Sequence, residues 1–123
     1  MNHSYKFLEE TIKIASKLNT EVLEEIVNTL VELRNNKGRL FILGVGGSAA
    51  NASHAVNDFR KICNIESYSP SDNVSELTAR TNDEGWDTSY SEWLKASNIN
   101  KKDAIFVFSV GAVSYTQSPS PRD

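Results

Sequence analysis

The sequence predicts an α/β domain built on a parallel sheet. Two observations carry that prediction: the short unbroken apolar runs "RLFIL" (Arg39 to Leu43) and "AIFVF" (Ala104 to Phe108), and the helical periodicity that precedes each. A third is the glycine-rich turn that ends the first run. A strand without polar alternation is one covered on both faces, as in parallel sheets flanked by helices. Strands alternating with helical stretches form right-handed parallel crossovers.

The first 38 residues read as a helix pair. Tyr5, Leu8, Ile12, Ala15 and Leu18 recur at spacings of three or four, with Phe7 and Ile14 widening the stripe. Thr20 is placed to cap a second helix whose apolar face is Leu23, Ile26, Val27, Leu30 and Leu33. Glu21, Glu24 and Glu25 sit in its first turns, Arg34 and Lys37 near its end, and Gly38 is the expected stop. The strand from Arg39 to Leu43 then runs into Gly44-Val45-Gly46-Gly47-Ser48 and a third helix from about Ser48 to Ile62. On that helix Ala52, Ala55, Val56, Phe59 and Cys63 share one side, and Asn51, His54, Asp58 and Lys61 another.

Beyond it, "NIESYS" (Asn64 to Ser69) reads as a second strand and "NVSELTAR" as a short helix. "TNDEGW" (Thr81 to Trp86) reads as a turn, and a helical segment follows around Tyr90, Trp93, Leu94 and Ala96. The strand Ala104 to Phe108 ends in a second small-residue turn, Ser109-Val110-Gly111. A strand buried on both faces needs a covering helix after it, and "AVSYTQSPSPRD" has no apolar period and two prolines. The expectation is a fold incomplete at its C-terminus, as after a shifted reading frame past Gly111; a natural flexible tail is the alternative. The organisation is thus 1–38 helix pair, 39–111 α/β portion and 112–123 irregular tail. An incomplete sheet of this kind is expected to be marginally folded, with an open strand edge that invites association.

With 123 residues, the chain fits one compact domain. Its formal net charge of −3, with no Lys/Arg block, argues against nucleic acid as the main partner. Cys63 is the single cysteine, so no intrachain disulfide forms and a thiolate zinc cluster is excluded; a small apolar role suits it better than a reactive thiol. "MNHSYKFLEE" lacks the layout of a signal peptide, and no apolar run approaches the ~20 residues that cross a bilayer. A cytoplasmic protein with no membrane partner is the default expectation.

The turn after the first strand is where function is sought. A chain leaving a parallel strand enters a helix whose first N–H groups have no partners, and glycines let a ligand approach them. Ser48 can cap the helix or donate to an anion. Turns at Gly44–Ser48 and Ser109–Gly111 fall at the carboxyl edge of one sheet, where open α/β sheets bind ligands. A nucleoside triphosphate loop fails because no lysine follows these glycines. A dinucleotide turn fits Gly44, Gly46 and Ala49, but the helical pattern ahead of the strand is unusual for it, and Glu66 is the one weak candidate for its acidic residue. A sugar-phosphate pocket and a tight turn without ligand are the other readings.

The leading helices, "LGVGGSAANASH", "TNDEGW" and "FVFSVG" together resemble the sugar isomerase (SIS) domain, and within it the phosphoheptose isomerases, from about residue 5 to residue 111. The resemblance implies a flavodoxin-like parallel sheet wrapped by helices, and homo-oligomers, tetramers in the family, with active sites between subunits. It also implies exchange of sedoheptulose 7-phosphate with an aldose heptose 7-phosphate through an enediol. By the same resemblance Gly46, Gly47 and Ser48 line the substrate pocket, Asn82 and Asp83 contact substrate, and Ser109 helps hold phosphate. His54 and Asp58 match a His and a Glu that bind zinc in some members, the Glu being also the proposed catalytic base.

The chain departs from the pattern at several of these positions. Val45 replaces an Asn, Asp58 is a methylene shorter than the Glu, and Ser109-Val110-Gly111 replaces Ser-Thr-Ser. The family's later Gln and His, one of them the partner acid/base, fall past the end of the sequence, although Ser114 falls at the spacing of another phosphate serine. Without the resemblance, His54 and Asp58, one helical turn apart, read equally well as a solvated polar face, and Asn82 and Asp83 as turn formers before Gly85. Trp86, Tyr90 and Trp93 read as core or subunit contacts rather than a sugar platform. Three functions therefore stand: an aldose–ketose isomerase weakly active or inactive in this form, a phosphosugar-binding module without turnover, and a dinucleotide-binding fragment.

Overall fold

The computed structural model describes residues 2–110; Gly111, Ser114 and the tail from residue 112 lie outside them. The chain divides into two compact units, one ending at Glu32 and one starting at Leu33.

The first unit holds α1 (His3–Ser16) and most of α2 (Thr20–Asn35). Asn2 caps α1, its side chain accepting the N–H of Tyr5 at 2.9 Å. The cap of α2 is Asn19 and not Thr20: Asn19 Oδ1 accepts the N–H groups of Glu21 and Val22 at 2.9 and 3.2 Å, a geometry that asparagine's short amide reaches readily. The predicted apolar stripes are present, yet none of their residues is buried within this unit. Leu8, Ile12, Leu23 and Val27 are all exposed, and α1 and α2 touch each other little.

In the second unit, β1 (Leu40–Leu43) lies between β2 (Ser67–Tyr68) and β3 (Ala104–Val107), all parallel. Leu40, Phe41 and Ile42 are almost wholly buried, as their unbroken apolar run predicts. Phe41 and Leu43 share a face with Ile105 and Val107, their direct partners on β3. On that face Trp93 of α5 (Ser89–Ala96) meets the Phe41 ring edge-on at 5.5 Å. Helix α3 (Gly47–Lys61) packs on β1 and β2 with Ala52 and Val56 buried, small side chains that bring helix and sheet close. The remaining helix, α4 (Val74–Glu84), follows a 3-10 turn at Pro70–Asp72.

Three expectations change. β3 is not covered on both faces: Ile105 and Val107 are 48% and 62% exposed, whereas Phe41 beside them lies under Trp93 of α5. Thr81 to Glu84 are helical, so "TNDEGW" is the last turn of α4 followed by a 3-10 turn at Trp86–Thr88. Finally, α2 is turned off by Lys37, which takes φ 57°, while the next N–H, of Gly38, reaches back to the Leu33 carbonyl at 2.9 Å. Gly38 is needed for a different reason. A Cβ there would lie 1.9 Å from the Lys102 carbonyl oxygen.

The amino ends of β1 and β3 are tied by Arg39 and Asp103. Arg39 donates from its backbone N–H and Nε to Asp103 Oδ1, at 2.9 and 3.3 Å, and from its terminal nitrogen to Oδ2 at 2.9 Å. The Asp103 side chain is 2% exposed. Burial pushes its carboxyl pKa up, but the hydrogen bonds from Arg39 and from the Asn100 N–H outweigh that and hold it below the usual carboxylate value.

Candidate anion site at the carboxyl edge of the sheet

The carboxyl ends of β1 and β3 lie side by side, Leu43 opposite Val107, with the Phe108 N–H continuing the ladder to the Leu43 carbonyl at 2.8 Å. The glycine turn and Ser109 therefore leave the sheet at the same edge, as their places after two parallel strands require. Gly46 is the N-cap residue just before α3, at φ 63° and ψ −125°, a conformation open to glycine and strained for any other residue. Gly44 is packed so closely that a Cβ would meet the Ser48 carbonyl oxygen at 2.4 Å.

This backbone path fixes where donors point. The N–H groups of Ser48 and Ala49 turn inward to the carbonyls of Val45 and Gly46, at 3.2 and 3.0 Å. Among the described residues the N–H groups of Gly46 and Gly47 have no such partner, and both glycines are exposed. Two open donors at a helix N-terminus are able to receive an anion. Ser48 is not the cap; it sits inside the first turn of α3 and is only 7% exposed.

His54 and Asp58 stand on α3 one turn apart, Nε2 to Oδ2 3.2 Å, with side chains 76% and 47% exposed. At 1.5 Å of rise per residue they lie roughly 10 and 16 Å along the helix from Gly47. A single bare anion therefore cannot touch both the turn and the pair. No third His, Cys, Asp or Glu joins them among the described residues. Zinc takes at least three protein ligands, so these two do not fit a zinc site by themselves.

Asn82 and Asp83 lie in the last turn of α4, Asn82 Nδ2 donating to Asp83 Oδ1 at 3.0 Å, and both are exposed. Neither is joined to the glycine turn by a hydrogen bond among the described residues. Ser109 is exposed as well. A residue that sequence reading left in the core proves to be the link. Tyr90 on α5 donates its hydroxyl to the Gly44 carbonyl at 2.6 Å. Burial pushes the Tyr90 phenol above its usual pKa, so it stays a donor through neutral and mildly alkaline pH.

A cleft of about 540 Å³ lies elsewhere, at the amino edge of the sheet, lined by Arg34, Lys37, Arg60 and Glu66 among others. Its arginines brace the chain between α3 and β2: Arg34 donates to the Cys63 carbonyl at 3.1 Å and Arg60 to that of Ser67 at 3.2 Å. Glu66 precedes β2 at this same edge, where its carbonyl accepts the Leu40 N–H at 2.8 Å. It is therefore at the wrong end of the sheet to meet a ligand held by the glycine turn, which removes the acidic residue a dinucleotide site needs.

Comparison with known proteins follows the same lines. The phosphoheptose isomerase of Helicobacter pylori is 30% identical over 111 residues, 86% of this chain and 57% of its own length. The chain is a relative of the phosphoheptose isomerases. That of a second H. pylori strain is 29% identical over 99 residues, 76% of this chain and 51% of its own. The chain thus spans about half the length of the curated phosphoheptose isomerases it matches. The solved structure of phosphoheptose isomerase GmhA from Neisseria gonorrhoeae superposes with a TM-score of 0.78 at 24% identity, over 88% of this chain and 59% of that one. The fold is therefore that of a phosphoheptose isomerase. No protein-family model matches the chain. Among the described residues no helix is long and apolar enough to cross a membrane.

Proposed function

We propose that this chain binds a sugar phosphate at the glycine turn and contributes to an aldose–ketose isomerase of the phosphoheptose type. The observation that carries the reading is the pair of exposed, open N–H donors at Gly46 and Gly47, at the sheet edge beside Ser109. The phosphate end of the substrate lies on these donors. Asp58 is assigned the role of base and His54 that of acid toward the sugar oxygens, in this chain or in a neighbouring copy. Asn82 and Asp83 are assigned to the sugar hydroxyls. Zinc enters this reading only with ligands from outside residues 2–110 or from another copy of the chain.

The exposed apolar stripes of α1 and α2 support assembly into a homo-oligomer, with a tetramer as the expected state. We place the protein in the cytoplasm, with no nucleic-acid or membrane partner. Incubation with sedoheptulose 7-phosphate, followed by chromatographic analysis of the products, tests the reading: an aldose heptose 7-phosphate appears if it holds. Binding without product supports the second reading, a phosphosugar-binding module. The exposure of His54 and Asp58 favours it, since an enediol formed there would be open to water. A substrate that neither binds nor reacts contradicts both.

A further inference from the structure

We propose that Tyr90 is a positioning residue for the anion receptor, its hydroxyl holding the Gly44 carbonyl so that the Gly46 and Gly47 N–H groups stay turned outward. The inference rests on the sugar-phosphate reading of the turn and adds to it a residue that the turn itself does not contain. Tyr90 and Gly44 are 46 positions apart, and their 2.6 Å hydrogen bond joins α5 directly to the first residue of the turn. Glycine widens the rotations open to the peptide plane between residues 44 and 45, and the Tyr90 hydroxyl fixes that plane at its carbonyl. It also gives the carbonyl at the strand end a hydrogen-bond donor.

The ring of Tyr90 is itself held. Trp86 packs against it edge-on with centroids 5.3 Å apart, and Ser89, next in the chain, is buried with its hydroxyl donating to the Trp86 carbonyl at 2.7 Å. A phenol placed by its neighbours in this way acts on the turn without touching the ligand. Tyr90→Phe removes the donor and keeps the ring packing.

The test combines two measurements on the full chain. In the ligand-free protein, NMR reads the Gly44 carbonyl carbon and the Gly46 and Gly47 amides; Tyr90→Phe is expected to shift all three. In calorimetric titrations with sedoheptulose 7-phosphate, the variant is expected to bind about three- to tenfold more weakly, the range for one lost neutral hydrogen bond. Unchanged glycine signals, or an unchanged affinity beside a lowered melting temperature, would overturn the proposal by reducing Tyr90 to a packing residue. Absence of binding by the unsubstituted protein is a separate outcome, which contradicts the sugar-phosphate reading on which the inference rests.

Discussion

Asp103 receives three hydrogen bonds from Arg39 and a fourth from the Asn100 N–H, so one buried carboxylate joins the amino ends of β1 and β3. Charged hydrogen bonds of this kind contribute about 1.5–3 kcal/mol. Asp103→Ala is expected to destabilise the α/β unit by about that amount, read from urea denaturation. The folded-state pKa of Asp103 lies below its unfolded value, so its stabilisation is full above the unfolded pKa of about 4 and is lost as pH falls through the lower folded value. Melting temperatures measured between pH 6 and 2 should fall less steeply in the variant than in the parent.

Gly46 and Gly47 separate strain from recognition. Gly46→Ala forces a side chain into a positive-φ conformation and is expected to destabilise by about 1–3 kcal/mol. Gly47 has an ordinary φ, and a Cβ there meets nothing within 4 Å. Gly47→Ala is therefore expected to change stability by less than about 0.5 kcal/mol while weakening sugar-phosphate binding, because the methyl stands where the anion must approach. Thermal melts beside calorimetric titrations distinguish the two.

The His54–Asp58 pair offers the converse. An exposed ion pair contributes about 0–1 kcal/mol, so Asp58→Asn should hardly alter the melting temperature. If Asp58 is the base, the same change lowers the isomerisation rate by about 10²–10⁴. Asp58→Glu, which restores the methylene that the sequence lacks relative to the family pattern, is expected to raise the rate. A steady-state assay of the three proteins checks both directions.

Phe41 and Val107 give the packing contrast. Phe41 is 1% exposed beneath Trp93, and Phe41→Ala is expected to cost about 3–5 kcal/mol. Val107 lies on the same face, one strand further out and mostly exposed, and Val107→Ser should cost less than about 0.5 kcal/mol. A Val107→Ser cost approaching that of Phe41→Ala would mean that something covers β3 in solution.

Most of the fold was legible because its signals are local. The apolar runs gave β1 and β3, the stripes gave α1 to α3, and the glycine turn fell where a parallel strand hands over to a helix. The end of α4 was misread although a signal existed: Glu76, Arg80 and Glu84 at successive spacings of four form ion pairs that carry the helix through Asn82 and Asp83. Asn and Asp favour a turn at these positions, and the side-chain pairing outweighs that preference. The exposure of one face of β3 depends on what packs against it in the folded chain, which no local pattern encodes. The same is true of Tyr90, which reads as one more aromatic in a helical stripe; only the folded sheet brings its hydroxyl to Gly44.

The most direct test of the central claim is a residue-resolved NMR titration of the chain with sedoheptulose 7-phosphate. The account predicts saturable amide shifts at Gly46, Gly47 and Ser48, with Ser109 following. Shifts confined to the arginine-lined cleft at the other end of the sheet, with the glycine amides unmoved, would contradict it.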